Sequence, residues 1–343
     1  MKAATTPNYG APNVLKMQER PTPRIGDDEI LVEVAASAVT EGDRRLRSAD
    51  FPGISAVPGR LMMGVTRPRN EVQGTMYAGR VVEVGAAITR FGVGDRVFGS
   101  VDHGAYADYA TISEDRPVAA IPDEIGYDEA ASVPYGAITA LHFLRELAQV
   151  QPGEHVLIIG ASGGVGQYAV QIAKYLGAQV TAVCSAQDAD RVSKLGADQV
   201  VDYRSQDYLG SPETYDVIFE ISGTKGFWQT RHALKPKGRF LTLLVSFTVL
   251  LQMVLTAIFG GKRAIFGVAM GNAAQMEEVA RLISSGALQP TVGEVFAFEE
   301  IVQAHEAVQS RRSKGTVIVR YMAPDQGPED GFANGLVPQQ TPI

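Results

Sequence analysis

Cysteine is nearly absent from this sequence, which has one cysteine, Cys184, among 343 residues. A single cysteine cannot form an internal disulfide, and it excludes zinc sites built from several cysteines. The five histidines are scattered and show no i, i+4 pairing that could hold a metal ion on a helix. Because disulfide pairing is typical of oxidising compartments, the sequence predicts a reducing one, and we expect a cytoplasmic location.

The chain also lacks an excess of basic residues. Its 31 Lys and Arg are outnumbered by 38 Asp and Glu, which gives a net charge of −7. Nucleic-acid-binding domains present a basic surface, so we expect no nucleic-acid partner. Hydrophobic residues make up 45% of the chain, as in a globular protein. The length predicts about two domains.

The longest stretch without a charged residue begins at residue 240. Residues 240–259, FLTLLVSFTVLLQMVLTAIF, follow Arg239 and precede Lys262 and Arg263. About 20 apolar residues can span a bilayer, but Thr, Ser and Gln interrupt this run and a globular pattern follows it. We interpret the run as a buried strand and then an apolar helix at a subunit contact or pocket wall. A peripheral membrane contact through 240–259 remains the alternative.

The order of the predicted elements indicates an α/β protein. The first third has short β-branched runs at 29–39, 78–85 and 95–100. Strands then alternate with helices, and the strands are predicted at 155–160, 179–185, 199–203, 215–222 and 238–246. Such alternation is typical of a doubly wound parallel sheet. Residues 322–343 are rich in Pro, Gly and Gln, and we expect them to form a flexible tail.

The segment GASGGVG at 160–166 fits two motifs with different chemistry. Residues 160–164 match G-x-S-x-G, which would make Ser162 a nucleophile, with His232 or His305 as its base. Residues 161–166 come within one substitution of G-x-G-x-x-G, the loop that holds a dinucleotide pyrophosphate. The hydrolase motif requires several earlier strands of the α/β region and an upstream oxyanion segment. Here the strand that carries the motif opens that region, and no HGG-type segment precedes it. We therefore favour dinucleotide binding, in which Ser162 donates a hydrogen bond and Gly163 leaves space for the pyrophosphate.

The end of the second strand of the α/β region indicates which dinucleotide binds. NAD-binding units place Asp or Glu there to hold the ribose hydroxyls. This chain has Cys184 and Ser185 instead, so no carboxylate at that point would repel a 2′-phosphate. Arg191, Lys194 and Arg204 would add positive charge, whereas Asp188 and Asp190 stand close by with the opposite sign. NADPH is favoured over NADH as the cofactor.

Several separated segments resemble the medium-chain dehydrogenase/reductase superfamily. They include GASGGVGQYAVQIAKYLGAQVTAVCS, LGADQVVDYRSQDY and GRVVEVGAAITRFGVGDRVFG, and they are most similar to the zinc-free, quinone-oxidoreductase-like branch related to zeta-crystallin. The resemblance covers residues 1–321. It implies a GroES-like, β-rich catalytic domain from 1–124 and 273–321, and a Rossmann domain with a doubly wound parallel sheet from 125–272. We also expect a homodimer.

The resemblance implies chemistry without a metal ion. At zinc-ligand positions of the superfamily this chain has Thr40, Thr75 and Met76, which are poor or impossible zinc ligands. The reaction expected is hydride transfer from NADPH to a quinone or an α,β-unsaturated carbonyl compound, an enone or enal. Two alternatives remain, namely an NADPH-binding crystallin-like or regulatory protein with little turnover, and a quinone reductase at a membrane surface.

The resemblance further assigns residues to the site. Asp43, Arg45 and Tyr135 are the candidate catalytic residues, and Arg45, which replaces a tyrosine of quinone-reductase relatives, could polarise a substrate oxygen. The alternative for Asp43 is a salt bridge to an arginine, and for Tyr135 a core position with a satisfied hydroxyl. The candidate cofactor-binding residues are Thr139, Ser162, Gly163, Gly164, Val165, Cys184, Ser185, Arg191, Tyr203, Ser222, Gly223, Leu243, Phe266, Val268 and Lys314.

Overall fold

The computed structural model describes residues 1–51, 53–310 and 313–321, so the predicted tail at 322–343 lies outside the described residues. Its strands are β1 (Lys2–Thr5), β2 (Lys16–Glu19), β3 (Glu29–Val39), β4 (Met76–Val84), β5 (Arg96–Ser100), β6 (Tyr109–Ser113), β7 (Val118–Ala120), β8 (His155–Ile159), β9 (Gln179–Cys184), β10 (Gln199–Asp202), β11 (Tyr215–Glu220), β12 (Leu234–Thr242), β13 (Arg263–Phe266), β14 (Val292–Ala297) and β15 (Thr316–Arg320). Its α-helices are α1 (Glu41–Ser48), α2 (Ala56–Met63), α3 (Tyr127–Ser132), α4 (Pro134–Leu141), α5 (Gly166–Tyr175), α6 (Ala189–Lys194), α7 (Phe227–Thr230), α8 (Phe247–Phe259), α9 (Ala273–Ser284) and α10 (Ile301–Ser310).

Six strands form a parallel sheet in the order β10-β9-β8-β11-β12-β13. Strands β8 and β11 are apolar and buried along most of their length, because parallel sheets are covered on both faces. Numbered from β8, the order is 3-2-1-4-5-6, that of a dinucleotide-binding fold. The direction of winding reverses between β8 and β11, and ligands of such sheets bind at the carboxyl ends of those two strands. The predicted doubly wound sheet is confirmed.

A second sheet uses residues from both ends of the described chain. Its order is β14-β15-β3-β4-β5-β7, and β6 also pairs with β3. Strand β15 lies antiparallel to β3, so the carboxyl-terminal strands complete a sheet that begins near the amino terminus. This is the β-rich second unit that the sequence predicted. The domain limits at 124/125 and 272/273 stay a prediction.

One continuous apolar core joins the two sheets. It includes Ala36 and Phe98 of the second sheet, Ala137 of α4, and Val156 and Phe219 of the parallel sheet. Small side chains on α3 and α4 let these helices lie close to both sheets. The helices therefore hold the sheet edge that carries the cofactor loop close to the β-rich unit.

The charge-free run at 240–259 spans parts of two elements. Strand β12 begins at Leu234 rather than at the predicted residue 238, with a register shift beside β11 and with Lys237 at a φ of 67°. The helix before β12, α7, is accordingly only 4 residues long. After β12 the chain turns and forms α8, where the Ser246 hydroxyl accepts a hydrogen bond from the Val249 N–H at 3.2 Å. In the described part of the chain, no helix is long and apolar enough to cross a membrane.

Helix α1 begins with a reciprocal cap between Thr40 and Asp43. The Asp43 N–H donates to the Thr40 hydroxyl, and the Thr40 N–H donates to the Asp43 carboxylate at 2.9 Å. The carboxylate also accepts from the hydroxyls of Thr40 at 2.6 Å and Thr75 at 2.9 Å. Burial raises the pKa of the fully buried Asp43, and these hydrogen bonds oppose that shift. Asp43 thus links the end of β3 to the start of β4.

Replacing Asp43 should weaken the fold. Asp43→Ala removes the helix cap and leaves buried hydroxyls without an acceptor, so we expect the free energy of unfolding to fall by roughly 2 kcal/mol or more. Urea unfolding followed by circular dichroism measures the loss. The control is Asp50→Ala, because the Asp50 side chain is 62% exposed and bonds only at the surface. An equal loss of stability in the two variants would contradict the capping role.

Candidate dinucleotide and substrate site

The glycine-rich loop turns tightly between β8 and α5. Gly160 has a φ of 92°, and a Cβ built there would lie 3.2 Å from Ser222, at the end of β11. A Cβ on Gly166 would lie 2.1 Å from the Gly160 carbonyl oxygen, so the first turn of α5 packs directly on the loop. Gly163 and Gly164 differ, because a Cβ on either would meet nothing closer than 3.5 Å. These two residues border open space at a helix amino terminus, where a phosphate group is stabilised.

A cavity of about 1210 Å³ opens beside this loop at the carboxyl ends of β8, β9 and β11. This volume exceeds the roughly 300–1,000 Å³ of pockets for single small ligands, and it fits an extended molecule such as a dinucleotide. Eight of the predicted cofactor-binding residues line the cavity: Ser162, Gly163, Cys184, Ser185, Arg191, Tyr203, Ser222 and Lys314. Its position is that of the topological switch point of the sheet.

The other predicted cofactor-binding residues do not line this cavity. Thr139 donates its hydroxyl hydrogen bond to the Tyr135 carbonyl at 2.6 Å, and Val165 is buried under the loop. Gly223 stands in the turn after β11 with a φ of 77°. The remaining four are Gly164, which faces the start of α4 through its carbonyl, and Leu243, Phe266 and Val268, which follow or end β12 and β13 on the far side of β11.

Arg191 lines the cavity, but its guanidinium is engaged by the protein. It donates to the Gln167 side chain at 3.0 Å, to the Ser162 carbonyl at 3.1 Å and to Asp188 at 2.9 Å. Burial would raise the pKa of Asp188, yet hydrogen bonds from Arg191 and Ser185 hold it below its usual value. These bonds tie α6 to the glycine loop and neutralise Asp188. The expected contribution of Arg191 to cofactor binding stays a prediction, since the side chain also lines the cavity.

Three other cations line the cavity: Arg204, Lys225 and Lys314. Within the described part of the chain, none of them makes an ion pair. Arg204 stands over the ring of Tyr203, with its guanidinium carbon 5.4 Å from the ring centre. Sequence reasoning missed Lys225, although its place shortly after a parallel strand could have indicated it.

A buried carboxylate shapes the turn after β11. Glu220, which is 1% exposed, accepts hydrogen bonds from the Ser222 hydroxyl at 2.5 Å and from the N–H groups of Gly223 at 2.9 Å and Thr224 at 3.1 Å. These bonds hold Ser222 and Thr224 at the cavity wall. The sequence analysis did not identify Glu220, although an acid at the end of the apolar run YDVIFE was a usable signal.

The end of β9 carries no carboxylate. Cys184 is buried, and burial raises the pKa of its thiol to about 11, so the thiol stays neutral. Ser185 donates its hydroxyl to Asp188 at 2.9 Å. Because Asp188 is also paired with Arg191, its negative charge beside this strand end is compensated.

Tyr135 lies at the other side of the loop, at the start of α4. It is partly exposed, and a Cβ built on Gly42 would lie 3.4 Å from its ring and 3.9 Å from its hydroxyl oxygen. Burial, with a contribution from the charge of Asp43, raises the pKa of Tyr135 to about 12, while Arg45 opposes the shift. The hydroxyl therefore remains protonated at neutral pH and can donate a hydrogen bond.

The other two candidate catalytic residues make contacts within α1. Asp43 is fully buried, and its carboxylate accepts hydrogen bonds from Thr40 and Thr75. In this structure it caps α1, and it makes neither the expected contact with a substrate nor the alternative salt bridge. Arg45 donates from Nε to Glu41 at 3.3 Å and is partly exposed. Its charge is shared with Glu41, which also holds Arg44.

The positions expected to hold zinc in related enzymes carry hydrogen bonds here. The hydroxyls of Thr40 and Thr75 both donate to Asp43, and Met76, at the start of β4, is buried. In the part of the chain that the structure describes, no group of three or more His, Cys, Asp or Glu side chains could hold a metal ion. The prediction of a metal-free protein remains to be tested by elemental analysis.

The histidines proposed for a hydrolase do not reach Ser162. The His232 Nε2 atom contacts the Leu209 carbonyl oxygen at 2.8 Å. His305 is fully buried on α10, edge-on to the ring of Tyr106. Ser162 therefore has neither proposed base beside it, and the geometry of the loop favours a bound dinucleotide.

Comparison with known proteins agrees with this geometry. Residues 26–123 match the alcohol dehydrogenase GroES-like domain family, and residues 195–319 match the zinc-binding dehydrogenase family. A quinone-oxidoreductase homolog of Spinacia oleracea chloroplasts is 29% identical, over 90% of this chain and 95% of the relative. The chloroplastic NADPH-dependent alkenal/one oxidoreductase of Arabidopsis thaliana is 27% identical, over 93% and 79%.

A solved structure extends the similarity to the whole fold. The quinone oxidoreductase from Coxiella burnetii superimposes with a TM-score of 0.82 at 27% sequence identity, and the alignment covers 94% of this chain and 99% of that one. The two matched domain families, the strand order and these relatives agree along almost the whole described chain. The chain is therefore an oxidoreductase of the medium-chain dehydrogenase/reductase superfamily, in its zinc-free, quinone-oxidoreductase-like branch.

Proposed function

We propose that this protein is an NADPH-dependent reductase of quinones and α,β-unsaturated ketones or aldehydes that works without a metal ion. The observation that carries the proposal is the large cavity that joins an open glycine loop to a strand end without a carboxylate. Relatives named quinone oxidoreductase and alkenal/one oxidoreductase support the same substrate class. The cytoplasmic location and the homodimer stay predictions.

The cavity residues fit a phosphorylated dinucleotide. Gly163 and Gly164 leave room for the pyrophosphate at the amino terminus of α5, where backbone N–H groups point outward. A 2′-phosphate at the end of β9 would meet Ser185 and, farther along the wall, Arg204. Since Arg191 already compensates Asp188, the local balance favours the extra negative charge of NADPH. When bound, NADPH supplies the hydride.

The protein then has to orient the acceptor and stabilise its oxygen. A conjugated carbonyl compound spreads the electron pair that it receives onto its carbonyl oxygen, so a hydrogen-bond donor can replace a metal ion there. Tyr135 provides such a donor, because its hydroxyl is protonated and lies at the start of α4, which packs on the glycine loop. Arg45, held by Glu41, adds positive potential nearby.

A protein that binds NADPH without turnover would need the cavity but not the Tyr135 donor. Steady-state NADPH oxidation against a panel of quinones, 2-alkenals and cyclic enones separates the two functions. Turnover with at least one conjugated acceptor supports the reductase. Tight NADPH binding with no oxidation across the panel would favour the binding protein.

The cofactor preference should depend on Arg204. We expect NADPH to bind about 10-fold or more tightly than NADH, a difference of about 1.4 kcal/mol. Arg204→Ala removes a cation without an ion-pair partner from the cavity wall, so it should weaken NADPH binding by roughly 10-fold and leave NADH binding unchanged. Fluorescence titration with both nucleotides measures the change.

The matched control for Arg204→Ala is Lys194→Ala. Lys194 is an exposed cation on the neighbouring helix α6 and does not line the cavity, so its loss should change neither affinity. Tighter binding of NADH than of NADPH by the unmodified protein would contradict the cofactor assignment.

The turnover number should depend on the Tyr135 hydroxyl. Tyr135→Phe keeps the ring and deletes the donor, so kcat should fall by roughly 100-fold while the Kd for NADPH stays the same. Because the pKa of Tyr135 is about 12, kcat should not decline between neutral pH and mildly alkaline pH through loss of this proton. Tyr175→Phe, on the exposed side of α5, is the control. Unchanged turnover in Tyr135→Phe would exclude this donor.

A further inference from the structure

Helix α8 has its polar and apolar sides reversed relative to an ordinary surface helix. Its two buried residues are polar, Gln252 at 4% exposure and Thr256 at 9%. The Thr256 hydroxyl donates to the Gln252 carbonyl and accepts from the Ala264 N–H of β13, so the polar side faces the protein. The outward side chains are large and apolar: Phe247, Leu250, Leu251, Val254, Ile258 and Phe259, at 38–80% exposure. A surface helix normally buries such a face.

A second exposed apolar segment lies against the start of α8. Ile54, Val57, Leu61, Met62 and Val65, in and around α2, are 41–71% exposed. A Cβ built on Gly53 would lie 2.9 Å from the Val245 carbonyl oxygen, so the two segments touch where each begins. We call residues 54–65 and 247–259 the α2–α8 surface. It holds more than half of the 20 exposed large apolar side chains of the described residues, and such concentration marks an interaction site.

The α2–α8 surface lies within positively charged sequence, although the whole chain carries a net charge of −7. Residues 51–70 contain three arginines and no Asp or Glu. Residues 221–276 contain seven Lys or Arg, again with no Asp or Glu. Arg67 and Arg263 are exposed, and no ion pair involving either occurs among the described residues. Of the seven, Lys225 lines the cavity, and Lys235, Arg239 and Lys262 pair with Asp216, Glu154 and Glu213. Arg67 and Arg263 follow α2 and α8 closely in the chain, so they border the apolar side chains.

We propose that the α2–α8 surface docks this protein on an anionic lipid bilayer. Apolar side chains of α2 and α8 enter the interface, and the surrounding arginines meet lipid headgroups, as for other amphipathic helices that lie on membranes. A second copy of the chain fits less well. In a twofold-symmetric contact the same surface meets itself, so arginines would face arginines with no carboxylate in either segment. The positive charge beside the α2–α8 surface therefore favours an anionic bilayer over a second copy of the chain.

Docking of this kind brings the ligand edge of the parallel sheet towards the bilayer. Helix α8 begins five residues after the carboxyl end of β12, and the carboxyl ends of β8, β9 and β11 border the cavity. The docking does not depend on the redox reaction, because it uses only the outer sides of α2 and α8. Vesicle binding by the protein without nucleotide therefore tests it independently of the proposed function.

The experiment measures sedimentation of the whole protein with vesicles. One set contains phosphatidylcholine alone, and the other contains phosphatidylcholine and phosphatidylserine in equal proportion. We expect binding to the anionic vesicles, with at least about 10-fold weaker binding to the neutral ones and a loss at high salt. The double variant Ile258→Glu/Phe259→Glu should bind anionic vesicles about 10-fold or more weakly. Arg67→Gln/Arg263→Gln should lose roughly fivefold for each arginine.

Val93→Glu is the control for the apolar variant, because Val93 is 66% exposed in the loop between β4 and β5. Arg24→Gln, at another exposed site, is the control for charge. Both controls should bind like the unmodified protein, and all variants should keep its circular dichroism spectrum and melting temperature. Absence of binding to anionic vesicles, or equal loss in the controls, would overturn the proposal. So would a dimer that Ile258→Glu/Phe259→Glu converts to monomer in the absence of lipid binding.

Discussion

The close approach of backbone segments around the glycine loop is the constraint on which the site depends. Gly166 packs on the Gly160 carbonyl, Gly160 packs on Ser222, and Gly136 of α4 packs on the Gly164 carbonyl, where a Cβ would lie 2.3 Å from the oxygen. These contacts bind the loop to β11 and α4 at once. Because the loop is held from three sides, the open side at Gly163 is a fixed phosphate-sized space, and Tyr135 keeps its position relative to the cavity.

The charged side chains around this loop stabilise its structure through hydrogen bonds within the protein. Glu220 accepts hydrogen bonds from Ser222, Gly223 and Thr224 in the turn after β11, and Arg191 is shared among Asp188, Gln167 and the Ser162 carbonyl. Asp43 does the same for the start of α1. A buried ion without such partners would be costly, and these hydrogen bonds compensate the charges of Glu220, Asp43 and Arg191, although the Arg191 Nε has no partner among the described residues. The charges available to a ligand are the cavity cations without an ion pair among the described residues, Arg204, Lys225 and Lys314.

The pattern of neighbouring residues was enough to predict the strands and the glycine loop, because their geometry depends on residues close together in the chain. Apolar β-branched runs predicted β3, β5, β8 and β9 closely, and the strand–glycine–helix order predicted the loop. The side-chain partners were not predictable in the same way. Whether Asp43 meets substrate or caps a helix depends on Thr75, 32 residues away, and whether Arg191 is free depends on Asp188 being turned towards it. The start of β12 was misplaced because a bulge at Lys237 allows a strand where the sequence has proline and glycine.

The run at 240–259 shows why hydropathy alone could not assign its role. Its length matches a bilayer span, yet a β-strand and a turn take up its first part, and α8 is only 13 residues long. Within α8, the two buried polar residues, Gln252 and Thr256, stand one turn apart, and Thr256 accepts a hydrogen bond from β13. They interrupt the run because they anchor the helix to the sheet, which leaves its apolar side free. The missing carboxylates at 221–276 carry information that hydropathy does not, since they determine the kind of surface that this side can meet.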